Sequence, residues 1–143
     1  MGRDPVEILL LDTHAWIWRV SSGDSTLSPS ATKAIRNAES AGNLAISAIS
    51  IWEVAMLEAK GRIQLQKDCL DWVNESISRA GLRVVPVSPE VSVASTRLPG
   101  ELHGDPADRI IVATARNENA VLVTRDGPLL DYASRGFVRA IEA

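Results

Sequence analysis

The chain has 143 residues, the length of one domain, so a single fold must carry its function. Apolar residues make up 45% and charged residues 23%, which supplies a core and excludes overall disorder. With 15 Lys and Arg against 18 Asp and Glu the net charge is −3, which excludes a passively basic nucleic-acid coat; any contact with nucleic acid needs local compensation.

The opening reads MGRDPVEILLLDTH, and its apolar run, Val6 and Ile8 to Leu11, is broken by Glu7 and stopped by Asp12. That run is too short and too acidic for a signal peptide or a membrane span. Val6 also breaks the myristoylation pattern that a Met-Gly opening would begin. Cys69, the one cysteine, excludes an internal disulfide framework and any multi-cysteine metal site, fits a reducing compartment, and reads as a packing residue. A cytoplasmic protein with no membrane partner is expected.

Short β-rich apolar runs alternate with longer helical ones. Strands are expected over 8–12, 44–47, 83–87, 121–124 and 137–141, and helices over 28–41, 50–60, 68–80, 89–97 and 106–117, with another opening at His14. Three helices are announced by a capping residue followed by proline, in Ser28-Pro29, Ser88-Pro89 and Asp105-Pro106, where the missing N–H costs nothing. Gly42, Gly61 and Gly81 are the expected carboxyl-terminal stops. No repeat or linker divides residues 1–143, and the alternation predicts one α/β domain, a three-layer α/β/α fold with a mostly parallel five-stranded sheet.

In open α/β sheets the functional crevice lies beyond the carboxyl ends of the strands, and the residues there are acidic. Asp12 ends the first expected strand, Glu53 and Asp108 lie in the first turns of expected helices, and Asp126 follows the fourth strand in VTRD. Glu53 admits two readings, because Ser50-Ile51-Trp52-Glu53 also has the shape of a capping box. Asp105 reads as a helix cap. Asp108 stands above Ile111, Val112 and Ala115 on the core-facing stripe of its helix, and Asp12 ends an unbroken apolar run, so both carboxylates face inward and need a partner.

Four carboxylates cannot share a pocket ionised without counter-charge, and only Arg109 and Arg125 lie near them in sequence. A divalent cation resolves the conflict. All-oxygen donors, without a histidine at zinc spacing, favour Mg²⁺, with Mn²⁺ as a substitute. Such an ion activates water and neutralises an in-line phosphoryl transition state, which points to phosphate substrates.

LLLDTHAWIWRV, AISAISIWEVAMLEAKGRIQL and HGDPADRIIVATARNENAVLVTRD resemble, in order and spacing, the PIN-domain toxins of the VapC type. The resemblance spans nearly the whole chain and implies a PIN-like fold. It also implies a metal-dependent endoribonuclease, usually a homodimer, neutralised by a small VapB-type antitoxin wrapped over its active site. The family's four metal-site acids carry over onto Asp12, Glu53, Asp108 and Asp126. In the proposed roles Asp12 and Asp108 are primary ligands, Glu53 is a ligand or water-orienting base, and Asp126 holds a second or water-mediated ion. Asp105, Ser50 and Thr124 are supporting candidates, the two hydroxyls by hydrogen bonding to the carboxylates. Two positions depart from the family pattern. Ala107 stands where D-P-F-D-R has phenylalanine, and Arg125 stands where an alanine often precedes the last acid, which places an extra cation beside the substrate.

Arg19, Lys60, Arg109 and Arg125 are the candidate cations for RNA phosphates. Trp16, Trp18, Trp52 and Trp72 read as core or interface residues, with stacking on RNA bases as the alternative; Trp16 and Trp18 face nearly opposite ways on a helix. His14 and His103 are substrate-contact candidates. They also support a rival reading, a metal-independent ribonuclease with one imidazole as base and the other as acid. A further alternative is a non-catalytic Mg²⁺-binding regulatory domain, although no lysine follows Lys67 as a receiver would require.

Overall fold

The computed structural model describes residues 7–21 and 26–143; Val6, on which the myristoylation reading falls, lies outside the described residues. Five strands form one sheet: β1 (Leu9–Leu11), β2 (Leu44–Ser47), β3 (Arg83–Val85), β4 (Val121–Thr124) and β5 (Arg139–Glu142). Their order is β3-β2-β1-β4-β5, and every pairing is parallel, with Leu9 opposite Leu44 on one side and Val121 on the other. The expected mostly parallel sheet is therefore wholly parallel.

Seven helices are described, α1 (Thr13–Ser21), α2 (Pro29–Ser40), α3 (Ala48–Ala59), α4 (Cys69–Ala80), α5 (Pro89–Ala94), α6 (Pro106–Asn117) and α7 (Gly127–Ser134). Strand alternation divides the core into two layers. Leu9 and Leu11 pack with Trp16, Ile35, Val54 and Trp72 from α1 to α4, whereas Leu10 packs with Ile111, Val112, Leu129 and Tyr132 from α6 and α7. The result is the expected α/β/α sandwich. Trp16 is fully buried, its ring 5.0 Å from that of Trp72, while Trp52 is 57% exposed. No helix among the described residues is long and apolar enough to cross a membrane.

The predicted caps hold at Ser28, Ser88 and Asp105, whose side chains accept from Ala31 N, Val91 N and Asp108 N. Gly42, Gly61 and Gly81 all adopt positive φ at helix ends, the conformation glycine alone enters freely. Four boundaries differ from the sequence expectation by two residues or more. β3 ends at Val85, α5 ends at Ala94 and β5 begins at Arg139. α3 begins at Ala48 with Ser47 as its cap, Ser47 Oγ accepting from Ile49 N. Ser50 and Glu53 therefore lie past the cap and form no capping box, because β2 runs straight into the helix.

Candidate active site

Asp12 is the first residue past β1. Its carbonyl accepts the first helical bond of α1, from Trp16 N at 3.0 Å, so it caps that helix. α7, which periodicity did not announce, is capped in the same way by Asp126, whose Oδ2 accepts from Leu129 N at 3.1 Å. Proline in the first turn and the Leu129/Tyr132 apolar pair were the signal for it. β1 and β4 adjoin where the chain's winding reverses, the switch point at which open α/β sheets place their sites. The amino termini of α1, α6 and α7 meet there, and their dipoles favour negative charge.

Asp12, Glu53, Asp105, Asp108 and Asp126 all line one pocket of about 380 Å³, with Thr13, His14, Ala15, Trp18 and Arg125. Folding thus brings the four predicted acids together. Asp12 is 8% exposed; its Oδ1 accepts from Thr13 N at 2.8 Å and its Oδ2 from Thr124 Oγ1 at 2.7 Å. Burial pushes its carboxyl up, against the pull of those two bonds. The Thr124 hydroxyl, which donates to Asp12, also accepts from Asp126 N at 3.0 Å.

Ser50 acts one step removed. Thr13 Oγ1, which sequence reasoning passed over, lies 2.5 Å from Glu53 Oε1 and 2.9 Å from Ser50 Oγ, so Thr13 ties Glu53 to α1. Burial pushes the Glu53 carboxyl up; the Thr13 bond opposes this, and the charges of Asp12 and Asp105 add to it. Asp108 is the most perturbed. Burial, followed by the charges of Asp12, Asp105, Asp126 and Glu53, pushes its carboxyl up to about 8.

His103 stands beside Asp108, Nε2 to Oδ2 at 3.5 Å. One ligand atom each from His103, Asp108 and Asp126 lies within 4.8 Å of the others. Asp12 and Glu53 line the pocket outside that grouping. The Nδ1 of His103 accepts from Asp105 N at 3.2 Å, and its Nε2 is the ring nitrogen beside Asp108. His14 leans on Trp18, ring centroids 5.9 Å apart.

Three of the four cations expected at phosphates stand elsewhere. Arg109 donates to the carbonyls of Ser95, Leu102 and His103; one position past Asp108, it projects away from the pocket and fastens the loop that carries His103. Arg19 pairs with Glu39 at 3.3 Å, and Lys60 is exposed at the far end of α3. Arg125 does line the pocket.

Oxygen donors from four elements, an elevated carboxyl among them, suit a hard divalent cation, because only such a charge lets all of them ionise together. Comparison with known proteins agrees with this fold. The PIN domain family matches residues 9–134, and the chain belongs to that family. It is 39% identical over 124 residues to Ribonuclease VapC22 of Mycobacterium tuberculosis, covering 87% of this chain and 91% of that relative. Among solved structures it resembles VapBC2 from Rickettsia felis bound to a DNA fragment from their promoter. That match has a TM-score of 0.65 and 19% identity, over 94% of this chain and 98% of that one. FitAcB from Neisseria gonorrhoeae matches at a TM-score of 0.57 and 21% identity, over 94% and 96%.

Proposed function

We propose that this protein is a VapC-type endoribonuclease and the toxin of a toxin–antitoxin pair. It hydrolyses RNA phosphodiester bonds with Mg²⁺, acts in the cytoplasm as a homodimer, and is silenced by a VapB-type protein antitoxin. The observation that carries this reading is the meeting of Asp12, Glu53, Asp108 and Asp126 in one pocket at the switch point of the sheet. Kinship with Ribonuclease VapC22 supports RNA as the substrate, and the likeness to VapBC2 supports an antitoxin as partner.

Asp12 and Asp108 are the primary ligands, with Asp126 toward a second or water-mediated ion. When bound, Mg²⁺ supplies a lowered pKa for the attacking water and charge for the in-line transition state. Thr124 fixes the Asp12 carboxylate through Oδ2, and the Thr13 backbone fixes Oδ1. Thr13 holds Glu53 by Oε1, leaving Oε2 to take the proton of that water. The antitoxin silences such a pocket by inserting an Arg or Lys among the acids.

The test is cleavage of RNA by purified, antitoxin-free protein. Mg²⁺ or Mn²⁺ should support it and EDTA should stop it, with 5′-phosphate and 3′-hydroxyl ends. Activity in EDTA with 2′,3′-cyclic phosphate ends would transfer the chemistry to His14 and His103.

A further inference from the structure

The pocket has two unlike walls. One is the acidic set. The other is Trp18, His14 and Arg125, and the proposed RNA chemistry does not use it. His14 and Trp18 are one turn apart on α1 and so share a face. The Arg125 guanidinium carbon lies 4.5 Å over the Trp18 ring. Its Nε and Nη2 donate to the Ala143 carbonyl at 3.1 and 2.8 Å, and Nη2 donates to the Thr26 carbonyl at 2.6 Å. Among the described residues no acceptor meets Nη1.

This arrangement is unusual for an arginine lining a pocket with five carboxylates. No ion pair among the described residues joins it to any of them. The two carbonyls and the indole hold it off the acids, which leaves those free for a metal. They also fix the guanidinium plane in advance, so little side-chain freedom remains to be lost on binding. Arg125 is an exposed residue. A fixed planar cation backed by an indole is a surface on which a nucleobase stacks, and Nη1 is a spare donor for the phosphate attached to that nucleoside.

We propose that Arg125, stacked on Trp18 and flanked by His14, is the nucleoside-binding wall of the site. A base flanking the cleaved phosphodiester stacks on the outer face of the guanidinium while its phosphate takes Nη1. The proposal rests on the reading of the acidic wall as an RNA-cleaving site and adds the group that positions the substrate against it.

The experiment measures binding by fluorescence anisotropy with labelled oligoadenylate RNA and an abasic ribose-phosphate oligomer of equal length and charge. It uses full-length Asp108→Asn protein in Mg²⁺ to prevent cutting. The base-bearing oligomer should bind about tenfold more tightly, the effect of one or a few stacked bases. Arg125→Gln should weaken both oligomers and bring the ratio close to one. Trp18→Leu should erase the ratio while leaving phosphate binding. Trp18 also packs against the core, so if that variant fails to fold, the ratio in protein with Trp18 intact and its response to Arg125→Gln decide. Equal binding of the two oligomers, binding of neither, or a ratio that survives Arg125→Gln would overturn the proposal. Continued cutting of RNA by Asp108→Asn protein would instead overturn the metal-site reading on which it rests.

Discussion

The hydroxyl of Thr124, the last residue of β4, donates to Asp12 Oδ2 at 2.7 Å, joining two residues that are neighbours only because β1 and β4 pair in register. The same oxygen accepts the Asp126 N–H, so one small side chain sets the positions of two acids. Thr124→Val keeps the shape and removes both bonds. We expect it to lower Mg²⁺ affinity or cleavage by about 10- to 100-fold, as loss of a ligand's supporting bond commonly does. It should also destabilise the fold by about 1–3 kcal/mol through the buried Asp12 oxygen left unpaired. Mg²⁺ titration of cleavage rate beside thermal melting reads both; unchanged values in both would deny the hydroxyl this role.

Asp108 makes stability depend on pH in a direction opposite to an ordinary ion-paired acid. Its folded carboxyl stands at about 8, against about 3.9 in an unfolded chain. Between those values the folded protein holds the extra proton, so its stability without metal declines as pH rises through that window. The raised carboxyls of Asp12 and Glu53 act in the same sense. Metal-free protein should therefore melt lower at about pH 8 than at about pH 6, and Mg²⁺ should raise the melting temperature more at the higher pH. Asp108→Asn should flatten this slope, melt higher than the unsubstituted chain without metal at the higher pH, and gain little from Mg²⁺. A metal-free protein that becomes more stable across that window would contradict the assignment.

Glu53 caps nothing, since α3 starts at Ala48, so its amide variant separates structure from chemistry. Glu53→Gln can still accept from Thr13 and should melt within about 0.5 kcal/mol of the unsubstituted chain, as substitutions without a lost contact usually do. Cleavage should nearly vanish, because an amide neither takes the proton nor holds a hard cation well. Normal cutting with a marked loss of stability would return Glu53 to a purely structural role.

Asp126 has two duties, and two substitutions divide them. Asparagine caps a helix about as well as aspartate, so Asp126→Asn should leave stability nearly unchanged, whereas Asp126→Ala should cost about 1 kcal/mol. Both remove the charge and should lower cleavage to a similar extent. Denaturant melts and Mg²⁺-dependent rates on the pair check this; an Asn variant as active as the unsubstituted chain would confine Asp126 to capping α7.

The local elements were legible in the sequence because their causes are local. The apolar runs of β1, β2 and β4, the Ser-Pro and Asp-Pro caps of α2, α5 and α6 and the glycines after α2, α3 and α4 each act within a few residues. Asp12, Asp108 and Asp126 could be picked out for the same reason, since each follows a strand or opens a helix, whereas the reading of Glu53 rests on an expected first-turn position that the earlier start of α3 at Ala48 removes. α7 escaped because Asp126-Gly127-Pro128 reads as a turn until Leu129 and Tyr132 are seen to face the core.

What only the tertiary structure decided is which group meets which. Strand register puts Thr124 under Asp12, and the packing of α1 beside α3 turns Thr13 toward Glu53 and away from solvent. One further step round the helix sends Arg109 to the carbonyls of Ser95, Leu102 and His103 while Asp108 faces the pocket. Arg125, beside Asp126 in the chain, finds its partners at Trp18, Thr26 and Ala143. Such pairings join residues far apart in sequence, and their short-range bonds respond to shifts of about an ångström, so no local pattern of residue types can encode them.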